Sequence, residues 1–484
     1  MLIAIVLLPF LTGIAAVLLK TEKRKAKLAF LLAMQLVEVG MVAYAILSGR
    51  EYASDIWHLT ESLTIAMNLD GVAALFTALT AGAWLLVLLY GAEYMKHEED
   101  ESRFYAFLFI SESTLIATAL SADFVSMYIF YELTSLCSMP LVLHQRKRES
   151  IMGATKYLYY SIGGAFFVLF GLAVLYSNAS TLNFAVGGTL VLNEHNSLVL
   201  LAIFFIIIGF GTKAGLFPMH NWLPSAHPVA PAPASALLSG IITKAGVIGI
   251  IRVVYFIAGA DALRGTWVQT TCLSLALLTV LMGSLMAYGE SDFKKRLAYS
   301  SISQISYVLT GLFLLTADGL TGSLLQVLFH ACAKIGLFLV AGVIIYLTDV
   351  RQVEYFHNLG RRMPVTFIAL TLLSLSLVGI PPFGGFWSKW HIALAALDAL
   401  PGALGYITPA VLLISALLTA GYLFAPVVWG FFPGEDMRSY AGSRLHEPAA
   451  MIIPLLLLAA LCALLGFFPG AVTSVMQSIA GSMI

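Results

Sequence analysis

The stretch from Gly209 to Arg252 reads GFGTKAGLFPMHNWLPSAHPVAPAPASALLSGIITKAGVIGIIR. We expect the other apolar segments of the chain to pack around it. Lys213 and Lys244 lie in apolar runs on either side of a break rich in proline and histidine. A lysine costs roughly 2.5–3.5 kcal/mol at the centre of a membrane helix on insertion scales, so two in neighbouring segments need a reason. The usual reason is ion or proton transfer, and we expect that function here.

Composition places the chain in the membrane. Of its 484 residues 60% are hydrophobic and 11% charged, with a mean hydropathy of +0.91, whereas soluble domains carry about 25% charge. The net charge of zero gives no electrostatic argument for nucleic acid. The four cysteines are scattered singly, and no Walker, dinucleotide or metal motif has a usable context. We therefore expect an all-α polytopic membrane protein that binds no cofactor and no metal, with redox cofactors in partner subunits.

Apolar runs near the length that crosses about 30 Å of hydrocarbon recur along the chain. The twelfth run is too long for one straight helix, and Pro381-Pro382 followed by Gly384-Gly385 predicts a break in it. The runs predict about fourteen transmembrane helices, at roughly 2–19, 27–48, 71–90, 104–120, 123–143, 155–176, 199–222, 233–258, 268–288, 297–316, 321–347, 364–398, 406–432 and 449–470.

The broken seventh and twelfth runs lie five spans apart, which is typical of inverted-repeat transporters. The predicted division is an N-terminal three-helix segment (1–103), a first repeat of helices 4–8 (104–258), a second repeat of helices 9–13 (268–432) and a C-terminal helix (433–484). Breaks at mid-depth are tolerated only against protein or a water-filled cavity, so the lysines beside them are expected to face water-accessible half-channels.

Lysine and arginine are divided unevenly between alternate predicted loops. With the loop at 20–27 inside, nineteen of the 26 lie in inside loops and two, Arg50 and Arg264, in outside loops. Because positive charge favours the cytoplasmic side, we expect both termini outside the cell inner membrane. The cations that remain within apolar runs are Lys213, Lys244, Arg252, Lys334 and Lys389.

Three carboxylates are also stranded in apolar runs: Glu38, Glu112 and Glu132. Glu132 is the best-placed partner for a buried lysine, and such a pair would hold both groups charged. Glu38 and Glu112, outside the repeats or near interfaces, are interpreted as subunit contacts. Arg252 is interpreted as structural or snorkelling, and Asp70 as a helix N-terminal carboxylate.

Histidines occur in two further places that are candidates for proton transfer. His330 and Lys334 are four residues apart and share one helical face, so they form a candidate proton-transfer pair. His220 and His227 lie in the break after Lys213 and are candidates for proton loading, or for capping that break.

Four sequence motifs resemble those of a known family of membrane proteins. The segment KAGLFPMHNWLPSAHP from Lys213, KAG at 244–246, HACAK at 330–334 and GIPPFGGFWSK at 379–389 are similar to the proton-translocating antiporter-like membrane subunits. Such subunits occur in respiratory complex I, in Mrp-type cation/proton antiporters and in group 4 nickel–iron hydrogenase complexes. The resemblance covers about residues 60–430 and implies fourteen helices, inverted repeats of five helices and discontinuous seventh and twelfth helices.

The resemblance also implies a midplane proton relay. It identifies a fifth-helix glutamate paired with a seventh-helix lysine, a bridging eighth-helix lysine, an eleventh-helix pair and a twelfth-helix group nearest the exit, which is a glutamate in some members. The matching residues here are Glu132, Lys213, Lys244, His330, Lys334 and Lys389. Opening the first pair would favour a neutral Lys213 amine and send its proton towards Lys244.

Three functions remain open from the sequence. The first is a proton-pumping subunit of a redox-driven complex, and the second is a subunit of an Mrp-type Na⁺/H⁺ antiporter without redox chemistry. The third is a scaffold that transports nothing, which is the weakest because a scaffold does not need five ionisable side chains at mid-depth. Each of the three predicts other integral membrane subunits and the lipid bilayer as partners.

Overall fold

The computed structural model describes residues 1–19, 24–58, 64–179, 181–190, 197–433 and 442–484, so that Lys20, Lys23 and Arg438 of the charge count lie outside the described residues. The described chain is mostly helical. Its longer helices are α1 Leu2–Leu18, α2 Arg24–Leu47, α3 Gly71–Tyr94, α4 Glu101–Leu120, α5 Phe124–Val142, α6 Arg148–Asn178, α7 Ser197–Ala214, α8 Ala232–Ala258, α9 Trp267–Gly289, α10 Phe293–Phe313, α11 Ala317–Thr348, α12 Pro364–Val378, α13 Gly384–Ala399, α14 Ala403–Phe431, α15 Ala449–Phe467 and α16 Pro469–Gly481.

Eleven of the described helices are long and apolar enough to cross a membrane. They are α2 to α9, α11, α14 and α15, while α1 and α12 are shorter apolar helices. The expected polytopic helical architecture is thereby confirmed. The last predicted span, 449–470, ends earlier than expected, because α15 stops at Phe467 and Pro469 begins the separate helix α16.

The expectation of an all-α chain is wrong between α2 and α3. Strands β1 (Ala53–His58) and β2 (Thr64–Asn68) pair antiparallel there, with Ala53 opposite Asn68. The hairpin rests on the start of α5, where Ser126 Oγ accepts a hydrogen bond from the Ala66 amide at 3.1 Å. Strands this short carry no long apolar run, so a search for membrane-length segments passes over them.

The two predicted helix breaks are present and share one backbone geometry. After α7, Gly215 has φ +82° and the Leu216 amide donates to Gly211 O at 2.8 Å. After α12, Gly379 has φ +87° and the Ile380 amide donates to Leu375 O at 3.2 Å. Each helix therefore ends in a left-handed glycine with a hydrogen bond to the carbonyl five residues earlier, the Schellman arrangement. Glycine is favoured at both positions because a side chain would strain this φ.

The core of the chain is formed by α8, α10 and α11. Every residue of α8 is buried, and nearly all of α11. Gly240 of α8 lets these two helices touch, since a Cβ there would lie 2.3 Å from Ile335 Cγ1. Two π-helical segments, Leu238–Ile242 and Arg252–Ala258, flank the regular turns Lys244–Ile251 of α8. Three of the stranded cations, Lys244, Arg252 and Lys334, thus lie in the core helices.

Candidate functional site

Lys213 occupies the last turn of α7 and is 2% exposed. Its Nζ donates to Ser135 Oγ of α5 at 2.6 Å and lies 4.5 Å from the centre of the Tyr131 ring. Glu132, on the same stretch of α5, has no ion pair within 4.0 Å among the described residues, and its buried Oε1 has no hydrogen-bond partner there. The structure therefore places a serine, and no carboxylate, in contact with the lysine.

The glycine of the second KAG motif brings the helices that carry Lys213 and Lys244 together. A Cβ on Gly246 would lie 2.3 Å from Phe210 O and 2.8 Å from the Ala214 amide, so α8 meets the end of α7 backbone to backbone. Lys213 is next to Ala214 in this contact, and Lys244 lies two residues before Gly246. The small residue at 246 thus allows the two lysine-bearing helices to lie together.

Lys244 and His330 are in direct contact, which intrahelical spacing does not indicate. Lys244 Nζ lies 2.6 Å from His330 Nδ1 and donates to Ser239 O at 2.9 Å. Lys244 and His330 are each 1% exposed, and His330 Nε2 has no partner within the described part of the chain. The imidazole therefore has one nitrogen on the amine and one nitrogen free to take or give a proton.

The expected His330–Lys334 pair is replaced by a different connection. Lys334 Nζ donates to Leu297 O of α10 at 2.9 Å. Ser301 Oγ donates to the same carbonyl at 2.8 Å and lies 2.6 Å from Ser239 Oγ, whose own carbonyl accepts from Lys244. Lys244 and Lys334 are thus connected through Ser239 of α8 and Ser301 of α10, while His330 contacts α8.

Lys389 lies in α13 and reaches back across the second helix break. Its Nζ donates to Leu377 O at 2.7 Å and Val378 O at 2.8 Å, the last carbonyls of α12, and lies 4.9 Å from the centre of the Tyr307 ring. A cation is favourable at a helix C-terminus, so this amine also satisfies carbonyls that the break leaves without an intrahelical partner.

A buried polar network links Ser388, next to Lys389 in α13, to α10, and the spacing of charged residues did not predict it. Ser388 Oγ donates to Gln326 Oε1 at 2.5 Å, and Gln326 Nε2 donates to Gln304 Oε1 at 2.9 Å. Gln304 Nε2 lies 3.5 Å from Thr419 Oγ1, so α13, α11, α10 and α14 are linked in turn. The sequence does contain one indication of this network, because Gln326 lies four residues before His330 and therefore on the same helical face.

The histidines of the first break differ in their surroundings. His227 is fully buried, stacks on Phe338 at 4.9 Å, and neither of its ring nitrogens has a partner in the described chain. His220 is half-buried and stacks on Phe217 at 5.8 Å. Lys294 was counted as a loop cation, yet it is 5% exposed and donates to Ala230 O in this break at 2.5 Å. It is therefore a further buried amine beside His227.

Arg252, interpreted as structural or snorkelling, forms an ion pair within the protein. It makes a two-pronged ion pair with Asp70, and its guanidinium lies 4.7 Å from the centre of the Phe256 ring. Asp70 also accepts from the Ala73 amide at 2.8 Å and so caps α3, as expected of a helix N-terminal carboxylate. The pair ties α8 to the first turn of α3.

Glu38 and Glu112 are not subunit contacts. They are 1% and 0% exposed and point into the interior between α2, α3 and α4. Within the described residues, no group of three or more histidine, cysteine, aspartate or glutamate side chains is placed to hold a metal ion.

Models of known protein families match most of the chain, including the helices that form its core. A family model described as "NADH:quinone oxidoreductase/Mrp antiporter, TM" matches residues 121–419, and one described as "NADH-Ubiquinone oxidoreductase (complex I), chain 5 N-terminus" matches residues 57–105. The chain belongs to the NADH:quinone oxidoreductase/Mrp antiporter family. It is therefore an antiporter-like, multi-pass membrane subunit of the kind found in respiratory and antiporter complexes.

Relatives of this family member come from three kinds of complex. It is 32% identical to an NADH-quinone oxidoreductase subunit N of Desulforudis audaxviator, over 96% of this chain and 95% of that one. It is 30% identical to hydrogenase-4 component B of Escherichia coli over 84% of this chain, and 29% identical to Na⁺/H⁺ antiporter subunit A1 of Staphylococcus haemolyticus over 86%. It spans only 62% and 54% of the length of these last two relatives.

Solved structures of the family share the fold along the whole chain. A chain of the archaeal membrane-bound sulfane sulfur reductase superposes with a TM-score of 0.88 at 25% identity, covering 100% of this chain and 97% of that one. A chain of the Mrp complex from Dietzia sp. DQ12-45-1b gives 0.85 at 22% identity, with 99% and 97% covered.

Proposed function

We propose that this chain moves protons through the membrane as a subunit of a redox-driven complex of the complex I or hydrogenase kind. The observation that carries the proposal is the buried contact of Lys244 with His330 at 2.6 Å, extended by the serine bridge to Lys334. Lysine, histidine and hydroxyl groups in hydrogen-bond contact are the parts of a proton path, since each can accept a proton from one neighbour and donate to the next.

The relay begins at Lys213 and Glu132. Lys213 rests on Ser135, and the unpartnered Glu132 Oε1 lies one turn away on α5, so a small shift of α5 against α7 exchanges serine for carboxylate at the amine. Contact with the carboxylate holds the amine protonated, and contact with the serine releases the proton towards Lys244. Water would fill the gaps between the side chains.

The second half of the relay runs from His330 and Lys334 to Lys389. Its path follows Gln326, Gln304 and Ser388, which join the helices that bear these groups. Lys389 donates to two carbonyls at the negative end of the α12 dipole, which favours the charged amine, so it acts as the last proton-holding group before the exit. His220 and His227, beside the first break, are proposed as proton-loading groups.

The proposed architecture is fourteen spans with two inverted repeats of five, divided at residues 1–103, 104–258, 268–432 and 433–484. The matching glycine geometry after α7 and after α12 supports a repeat, because one backbone solution occurs at both breaks. Both termini would lie outside the cell inner membrane. The redox cofactors would reside in partner subunits.

A redox-driven complex is favoured over an Mrp-type antiporter by the chemistry of the path. Amines and imidazoles suit protons better than they suit Na⁺, since hard cations take oxygen ligands. A scaffold without transport stays the third alternative.

The test is proton movement in inverted vesicles that contain the whole complex, with wild type, Lys213→Ala and Glu132→Gln. Acidification driven by a redox substrate that both substitutions abolish, while electron transfer is slowed or uncoupled, is the expected result. A pH gradient that needs only an imposed Na⁺ gradient and no electron donor would establish the antiporter function. Unchanged acidification in both variants would refute the relay.

Lys295→Met is the matched control for loss of a lysine. Lys295 pairs with Glu290 at 2.7 Å and its side chain is 40% exposed, so its removal takes away a cation without touching the buried path. We expect this variant to acidify vesicles at the wild-type rate.

A further inference from the structure

The N-terminal helices contain a carboxyl pair that the lysine relay does not use. Gln35 and Glu38 lie one turn apart on α2, and Glu112 lies on α4. Gln35 Nε2 donates to Glu112 Oε1 at 2.6 Å and to Ala81 O of α3 at 3.2 Å. The exposed fractions of the three residues are 1%, 1% and 0%, so water outside the protein does not solvate them.

Most oxygens of this cluster have no partner among the described residues. They are both carboxyl oxygens of Glu38, Oε2 of Glu112, Oε1 of Gln35, and the hydroxyls of Thr77 and Ser111. Thr77 lies one turn before Ala81 on α3. Glu38 lies one turn along α2 from Gln35, just as Thr77 lies one turn along α3 from Ala81, whose carbonyl accepts from Gln35.

Among the described residues, no cation is paired with either carboxyl. Neither has an ion pair within 4.0 Å in the described structure. Arg24 pairs with Glu101 at 2.6 Å near one end of α2, and Lys27 donates to Ser102 at 2.5 Å. Lys244 contacts His330, and Arg252 pairs with Asp70.

The other titratable or charged groups of the surrounding helices are paired elsewhere, are phenols, thiols and acids, or, for Lys25, are exposed at the start of α2. α1 has none, and α2 adds Lys25 and Tyr44. Those of α3, α4, α5, α8 and α15 are Tyr90, Glu93, Tyr94, Arg103, Tyr105, Tyr128, Tyr131, Glu132, Cys137, Tyr255 and Cys462. An ionised carboxylate without a partner in such a place is strongly disfavoured, and two adjacent ones are more so.

We propose that Glu38 and Glu112 form a proton-binding site, with Gln35 bridging them. The protonated carboxyl of Glu38 donates to Gln35 Oε1, while the Gln35 amide donates to Glu112, so a proton on either acid is transmitted as a hydrogen bond to the other. The proposed ligand is a proton, because the contact observed within the cluster is a hydrogen bond from the Gln35 amide to Glu112 Oε1, and this N–H would repel a bound cation. Na⁺ at the unpartnered oxygens is the alternative that the test below excludes. The site stands apart from the lysine chain and does not depend on the proposed relay.

Infrared spectroscopy of the whole purified complex in lipid tests the site without any transport measurement. A protonated carboxylic acid has a carbonyl stretch that shifts to lower frequency in D₂O, and we expect such bands at neutral pH. Glu38→Gln and Glu112→Gln preserve size and amide hydrogen bonding, and each is expected to remove or shift a band. Asp261→Asn, at a side chain that is 88% exposed, is the matched control and should leave these bands unchanged.

Two results would overturn the site. One is a set of protonated-carboxyl bands that neither glutamine variant changes. Such a result would mean that Glu38 and Glu112 are ionised and that the bands come from other acids. The other is a band present only without Na⁺ and lost when NaCl replaces choline chloride, which would make this an alkali-cation site. Labelling by a hydrophobic carbodiimide, which attacks protonated acids, gives a second readout: peptides carrying Glu38 or Glu112 should be modified, and Na⁺ should not protect them.

Discussion

At the scale of the residue, the most informative contact is between Lys244 and His330. No carboxylate lies within 4.0 Å of Lys244 in the described chain, so its amine is held by an imidazole and a backbone carbonyl. Such partners tolerate both the neutral and the charged amine, whereas a carboxylate would lock it in the charged form. This is the environment that a proton-carrying lysine requires.

Lys244→Met should therefore stop proton transfer with little effect on packing. Methionine fills a similar volume but has no proton to pass, and it leaves both His330 nitrogens without a hydrogen-bond partner. We expect redox-driven acidification of vesicles to fall about a hundredfold or more, the scale of one lost acid–base group. The amount of assembled complex on a native gel should stay close to wild type; normal acidification in this variant would contradict the path.

His144 predicts a pH dependence of stability outside the membrane-spanning helices. It follows α5 and is 4% exposed, and burial together with the nearby Arg103 charge lowers its pKa to about 4. In the unfolded chain its pKa is about 6.5. The native state therefore disfavours the protonated ring, and the stability gained from His144 is present above about pH 6.5 and lost as pH falls towards about 4.

The measurement is the apparent melting temperature of the purified protein in detergent at about pH 7 and about pH 5. Wild type should melt lower at the acidic pH, and His144→Gln should show a smaller difference between the two. An equal drop in both proteins would assign the pH effect to other groups.

At the scale of the element, glycines decide how closely the lysine-bearing helices approach. Gly246 lies against the backbone of α7, and Gly385, after the second break, would place a Cβ 1.9 Å from Ser376 O. Backbone atoms cannot yield as a flexible side chain can, so both sites exclude any larger residue. The π-helical turns on either side of Lys244–Ile251 are a second feature that sets the geometry of these helices. Such turns change the direction of the side chains and are frequent at functional sites.

Gly246→Ala should accordingly destabilise the protein. Its Cβ would meet Phe210 O at 2.3 Å and push α8 away from α7, at a cost of about 1–3 kcal/mol for an overpacked core. Gly40→Ala is the matched control, since nothing lies within 4 Å of a Cβ there and alanine favours a helix interior by roughly 0.5–1 kcal/mol. Melting in detergent should fall for the first variant and hold or rise for the second.

At the scale of the whole molecule, the Asp70–Arg252 pair joins the N-terminal helices to the central helix α8. The Arg252 side chain is 1% exposed and that of Asp70 is 28% exposed. The two partners therefore differ in what their loss leaves behind. Without Arg252, Asp70 still caps α3 and still meets solvent; without Asp70, a guanidinium stays buried and unpaired.

Asp70→Asn should for this reason destabilise the molecule more than Arg252→Met does. Removing one partner of a buried ion pair costs about 3–5 kcal/mol when the remaining charge cannot escape, whereas an apolar replacement of the buried member is often tolerated. The check is the fraction of monodisperse protein that survives graded heating in detergent. Equal survival of the two variants would show that the guanidinium reaches another partner or water.

The sequence by itself determined the membrane class, the two helix breaks and several of the buried cations. These properties are local, since hydropathy over about 20 residues, a Gly–Pro cluster and a charge inside an apolar run can each be read from consecutive residues. Lys213, Lys244 and Lys334 were identified on that ground, and the structure buries all three. Lys294, which follows a loop in the sequence, was missed because only the docking of the first break over it removes it from solvent.

Only the tertiary structure decided which side chains meet. Spacing within one helix predicts neighbours on that helix, which is why His330 was matched with Lys334 although it contacts Lys244 of α8. The same holds for Lys213 on Ser135 and for Glu38 and Glu112, which proved to be interior groups. The physical reason is that contacts between helices depend on their relative rotation and register, which close glycine packing sets and which no single stretch of sequence encodes.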